Sequence, residues 1–157
     1  MYGLVNNVQS LYMSNINNKG GNMDKTTQVA IDKFKSIVFK DYEGFQLGMK
    51  KRDIEQYPSE KETYVKTAMD RVQEFKDKFK MEETKFYYKF ISDGGVHTFI
   101  VKEDGVIRHK VWKKGDILKP AGYRTPALNK PRGNIFGEYK VQWTGPLYLK
   151  GPKYFTM

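Results

Sequence analysis

The residues with the most evident capacity for chemistry lie between Lys113 and Phe136, KKGDILKPAGYRTPALNKPRGNIF. Four lysines, two arginines, three glycines and three prolines surround one acid, Asp116. Arginine presents a planar fork that matches phosphate in a bidentate fashion. Glycine lets main-chain N–H groups approach an oxyanion closely. Pro120, Pro126 and Pro131, with Gly122 and Gly133, define an irregular backbone that is neither helix nor strand. Tyr123 offers an aromatic face for stacking. The candidate ligand-binding residues are therefore Trp112, Lys113, Lys114, Lys119, Tyr123, Arg124, Lys130, Arg132, Gly133 and Asn134. Trp112, beside two lysines, is expected to be the least core-like of the aromatics. The alternative is a structural loop around a sheet edge, with its lysines in solvent.

Charge supports the first reading. The net charge is +10, and it is segregated. Val106–Met157 holds eleven Lys/Arg against two acids, Asp116 and Glu138, a net of +9. Met1–Gly105 holds seventeen against sixteen, a net of +1. A surface made basic only for solubility has no reason to segregate its charge, so an anionic partner is expected.

Other chemistries find little support. The chain has no cysteine, which excludes disulfides and thiolate zinc sites and fits a reducing compartment. A two-residue turn at Asp104-Gly105 would place His97 and His109 on opposite sheet faces, so no metal and no cofactor is expected. The strings His97-Thr98-Phe99 and His109-Lys110-Val111 do not match the paired motifs of two-histidine phosphoesterases. Glu82-Glu83 and Glu103-Asp104 sit at strand ends or turns without the cleft that carboxylate catalysis needs. No Walker loop, Gly-x-Ser-x-Gly or dinucleotide fingerprint is present. The chain reads as a binding protein rather than an enzyme.

These residues need a scaffold, and 157 residues suffice for one domain with a real core. The mean hydropathy of −0.70 is polar, and no apolar run approaches a membrane span. The N-terminal residues lack the basic and apolar blocks of a signal peptide, so a cytosolic location is the expectation. Residues 1–22 are rich in Asn and hold one charge, Lys19. Lys19-Gly20-Gly21, a codon run resembling a ribosome-binding site, stands just before Met23. Residues 1–22 are thus expected to be a loose tail or upstream translation artefact, and 23–157 a single domain.

From Asp24 the apolar period is helical: Val29, Ile31, Phe34, Ile37, Val38, Tyr42 and Phe45. Asp24 or Thr26 caps this helix, and Gly44 or Gly48 is expected to end it. A capping box, Ser59-Glu60-Lys61-Glu62, predicts a second helix with the stripe Val65, Ala68, Met69, Val72, Phe75 and Phe79. After Glu83 the period becomes two. Strands are predicted at Lys85–Ser92, Gly95–Glu103 and Val106–Trp112, hairpinned at Asp93-Gly94 and Asp104-Gly105. A short strand at Asp116–Lys119 follows, then Tyr139–Trp143 and Leu147–Leu149. The predicted class is α+β, two N-terminal helices packed on an antiparallel β-meander with a Pro/Gly-rich basic loop. One sheet face would carry Phe86, Phe90 and Phe99 as core, with Arg108, Lys110 and Trp112. Gly94-Gly95 leaves that register open by one residue.

Three strings within Val96–Phe136 carry a resemblance: Gly115-Asp116-Ile117-Leu118-Lys119, Tyr123-Arg124-Thr125-Pro126-Ala127 and Arg132-Gly133-Asn134-Ile135. Together they resemble a group of small, mostly uncharacterised tailed-bacteriophage proteins. The shared pattern is Gly-Asp-[Ile/Leu]-x-Lys, [Trp/Tyr]-[Lys/Arg]-x-Pro-Ala and Arg-Gly-Asn-[Ile/Leu]. The departures are Tyr123, where tryptophan is commoner, and Pro131 before Arg132. The resemblance implies a phage gene expressed in the cytoplasm of an infected bacterium; it implies no reaction. The expected function is that of an accessory protein binding a phosphate-rich ligand, nucleic acid foremost. A nucleotide-signal sponge acting against host defence would instead need a concave pocket holding Tyr123 and Arg132. A virion or protein-interaction component, including a homo-oligomer, is the third reading. No membrane partner is expected.

Overall fold

The computed structural model describes residues 23–149; the expected tail at 1–22 lies outside the described residues. The chain divides between Lys33 and Phe34, inside the first helix, into two units. In the first, Asp24 caps the helix: its carboxylate accepts the Thr27 N–H at 2.7 Å. Helix α1 runs Lys25–Gln56, through both Gly44 and Gly48, where the sequence predicts its end. Each glycine costs a helix about 1 kcal/mol, but packing outweighs this. Gln46 donates to the Tyr42 hydroxyl at 2.8 Å, and the Phe45 ring lies 5.0 Å from that of Trp143. The capping box at Ser59 does not form. Pro58–Glu60 makes a 3₁₀ turn with no side-chain cap, and α2 follows at Lys61–Lys78.

The second unit contains two helices' worth of aromatic surface set against an antiparallel sheet, as the α+β reading expects. Its strands are β1 (Lys80–Glu83), β2 (Tyr87–Ser92), β3 (Gly95–Val101), β4 (Gly105–Ile107), β5 (Lys110–Trp112), β6 (Ile117–Leu118), β7 (Lys140–Gln142) and β8 (Gly145–Leu147). The main sheet has the order β1-β2-β3-β6; β4-β5 and β7-β8 are separate ribbons. On the helix side, Phe34 and Phe79 pack on Phe90 at 5.3 and 5.5 Å. Tyr42 stacks on Phe75 at 4.3 Å, with Trp143 edge-on at 5.0 Å. Asp41 accepts the Trp143 N–H at 2.8 Å, which ties the β7-β8 ribbon to α1. On the opposite side Tyr87, Phe99, Val101, Trp112 and Leu118 form an apolar cluster.

Two sequence expectations are corrected here. Phe90 and Phe99 are both core, but not on one face. The β2-β3 register shifts between Phe90 and Ile91, so Lys89 faces Phe99 and Phe90 faces Thr98. His97 is the extra residue of this bulge. Its ring lies 5.2 Å from Phe79, and its nitrogens bond Thr98 Oγ1 at 2.6 Å and the Gln142 carbonyl at 2.9 Å. Since that carbonyl can only accept, Nε2 donates and Nδ1 accepts the Thr98 hydroxyl. Burial pulls the pKa down to about 4, against the opposing backbone hydrogen bonds of Gln142 and Trp143.

The predicted third strand, Val106–Trp112, does not pair with β3 either. It folds on itself as the β4-β5 ribbon, Gly105 facing Trp112 and Ile107 facing Lys110. The turn residues Arg108 and His109 both have positive φ, 53° and 68°. That is the backbone of a type I′ turn, which ordinarily selects Asn-Gly. The place beside β3 goes to β6, Phe99 facing Leu118 and Ile100 facing Ile117.

Candidate functional site

The predicted basic loop divides into two parts of different character. The first is a backbone knot formed by 113–118 and 132–139. Ile117 N–H donates to the Gly133 carbonyl at 2.9 Å, Arg132 N–H to Ile117 at 2.7 Å and Ile135 N–H to Gly115 at 2.9 Å. Asp116 accepts from the Lys113 N–H. The Asn134 amide donates to the Lys114 carbonyl and to Asp116, and its oxygen accepts the Phe136 N–H. Gly115 has φ 90°, and an added Cβ would lie 2.6 Å from the Phe136 ring. Gly133 has φ 126°, and its Cβ would lie 2.5 Å from the Glu138 carbonyl oxygen. A side chain at Gly115 would have to displace the Phe136 ring and the Asn134 amide, and one at Gly133 would run into backbone. The N–H groups of Gly115 and Gly122 are spent on the Val101 and Thr125 carbonyls, so they are not offered to an anion.

Several predicted site residues belong to this packed part. Trp112 is only 3% exposed and sits in the apolar cluster, correcting its expected place at the surface. Ile107 and Trp112 share the inner face of the ribbon, which is why the lysines beside Trp112 do not draw it outward. Arg132 is 7% exposed, its guanidinium 3.4 Å over the Tyr148 ring. Tyr123 is half-exposed, but Lys89 Nζ lies 3.7 Å from its ring centroid, so one aromatic face is already occupied by a cation. Lys114 places its ammonium 5.9 Å from the Phe136 ring and donates its backbone N–H to Asp104. Lys113, Lys119 and Lys130 are exposed.

The second part is a cleft of about 750 Å³, formed by the start of β2, the β4-β5 ribbon and the 121–128 loop. Four cations line it: Lys85, Arg108, Lys110 and Arg124. No Asp or Glu lines it among the described residues. No salt bridge among the described residues takes any of the four. Its apolar lining includes Ile107 and Leu128, which also pack on the Trp112 cluster, and Phe86. The two-residue period places Phe86 in the core, but it is 43% exposed. The reason is that β2 begins only at Tyr87, after a turn in which Thr84 and Tyr87 bond each other. Burial raises the Tyr87 phenol, and the nearby Arg108 charge opposes that rise.

Of the ten predicted ligand residues, the cleft includes only Arg124. Arg108 and Lys110 join it through the chain reversal at Arg108-His109, and Lys85 and Phe86 through the turn between Thr84 and Tyr87. The signal present in the sequence was the Arg108/Lys110 charge; the reversal itself carried none. Among the described residues no group of His, Asp or Glu has metal-holding geometry. No described helix is long and apolar enough to cross a membrane. Comparison with protein-family models, curated proteins and solved structures gives no match.

Proposed function

We propose that this protein binds a phosphate-rich ligand, nucleic acid foremost, through the basic cleft, as an accessory protein of a tailed bacteriophage. The observation that carries the binding reading is the convergence of Lys85, Arg108, Lys110 and Arg124 on one cleft without a facing carboxylate. Uncompensated cations repel one another, and a polyanion relieves that repulsion while releasing its own counterions. Two of the four are arginines, suited to bidentate phosphate contact. The phage assignment rests on the three strings between Gly115 and Ile135, and with it goes an infected-cell cytoplasm as the place of action. Nucleic acid is preferred over a trapped nucleotide signal because neither Tyr123 nor Arg132 lines the cleft.

Binding of mixed-sequence DNA and RNA across a salt series tests this. Affinity should fall steeply, with a log–log slope of about −3 for four phosphate contacts. Arg124→Ala and Lys110→Ala should each reduce that slope by about 1. A salt-insensitive affinity, or one unchanged by both substitutions, rejects the cleft as the site.

A further inference from the structure

Resting on the nucleic-acid reading above, we infer that the cleft takes one unstacked nucleotide of a single strand, its base against Phe86, its own phosphate against Arg108 and Arg124, and the flanking phosphates of the strand against Lys85 and Lys110. Phe86 is an aromatic ring that the fold leaves 43% exposed, on the wall of a cleft otherwise marked by positive charge. Lys85 Nζ lies 5.2 Å from its centroid and Tyr87 meets it edge-on at 6.2 Å. Tyr123 lies outside the cleft with Lys89 over its ring, whereas Phe86 lines the cleft at the margin of the apolar cluster, touching it through Tyr87. An exposed ring between cations is the platform on which single-stranded binders stack bases, since every base offers a π-face. The cleft, about 750 Å³, is of the size that encloses a small ligand. A base inside a duplex cannot present its face there without being unpaired and extruded. A single strand presents its bases without that cost.

Backbone conformation at Arg108 points the same way. Arg108 and His109 hold left-handed φ of 53° and 68° at a turn where Asn-Gly would be unstrained. Strain of this kind persists where the surrounding structure imposes it, and it collects at ligand clamps. Here it turns the chain so that Arg108 and Lys110 both line the cleft with Phe86 and Arg124. A phosphate contact by Arg108 would set function against stability at this position, so that glycine there relieves the backbone while removing the contact.

Fluorescence anisotropy on the full chain at low salt tests the inference, with three labelled probes: a strand of about ten nucleotides, the same sequence as duplex, and a mononucleotide. The strand should bind about 10-fold more tightly than either of the others. Phe86→Leu, which keeps apolar bulk and removes the ring, should weaken the strand by about 10-fold and leave the duplex within about 2-fold. Arg108→Gly should raise the Tm by a few degrees while weakening the strand by about 10-fold. Equal affinity for strand and duplex, untouched by Phe86→Leu, overturns the single-strand assignment and leaves the basic-cleft reading standing. A mononucleotide that binds as tightly as the strand overturns it too. A variant Arg108→Gly that is stabilised but binds normally removes the phosphate contact and overturns the placement. Failure of all three probes to bind sinks the inference and the reading beneath it together.

Discussion

The backbone knot at 113–118 with 132–139 and the cleft beside the β4-β5 ribbon draw on the same residue types, yet they use them in opposite ways. In the knot, glycines, Asp116 and Asn134 are consumed by hydrogen bonds and close approaches within the chain. In the cleft, four cations and an exposed phenyl ring are left facing one space without an acid. A run of Lys, Arg, Gly and Pro is thus no site in itself. What distinguishes the two regions is whether the polar groups have found partners inside the fold.

That contrast can be broken by substitution. The largest effect should come from Trp112→Ala, which empties the centre of the apolar cluster and should cost about 3–5 kcal/mol in chemical denaturation. A loss below about 1 kcal/mol would return Trp112 to the surface. Gly133→Ala follows, at about 3 kcal/mol, because a Cβ would meet the Glu138 carbonyl oxygen at 2.5 Å in a left-handed backbone. If Gly133→Ala melts like the parent, the knot is not closed as described.

The bulge at His97 gives a pH signature of intermediate size. Its folded pKa is lowered to about 4 from 6.5, so below pH 6.5 the unfolded chain takes up a proton that the folded chain refuses. Stability is fully present above pH 6.5 and is lost as pH falls toward 4. Between pH 6.5 and 5, above the carboxylate range, that loss should reach about 2 kcal/mol. His97→Gln should flatten the slope in this window; an unchanged slope would assign it to other groups. The smallest effect on stability belongs to the cleft. Arg124→Ala should change the unfolding free energy by less than about 0.5 kcal/mol, while lowering nucleic-acid affinity about 10-fold. Equal losses of stability and binding would erase the distinction between the two regions.

Much of the scaffold was legible beforehand. Asp24 as a cap, the Ala68–Val72–Phe79 stripe and the Asp93-Gly94 hairpin are local features, decided by neighbours a few residues apart. Other features were not. The β-bulge at His97 moved Phe99 to the opposite face from Phe90 because one extra residue inverts every side chain beyond it. The reversal at Arg108-His109 was hidden because those residues lack the chemistry that usually marks a type I′ turn. The continuation of α1 past Gly44 and Gly48 depended on Trp143, about a hundred residues away, packing against Phe45.

The class of fold, two helices and then antiparallel strands, is written in the order of the residues, as is the concentration of positive charge in the C-terminal third. Both follow from periodicity and composition, which need no partner. Which cations line the cleft and which are built into the fold follows from contacts distant in the chain. That choice depends on hydrogen bonds between segments about 20 residues apart, as between Asn134 and Lys114. It depends equally on a strained turn that sets Arg108 and Lys110 into the same cleft as Phe86 and Arg124.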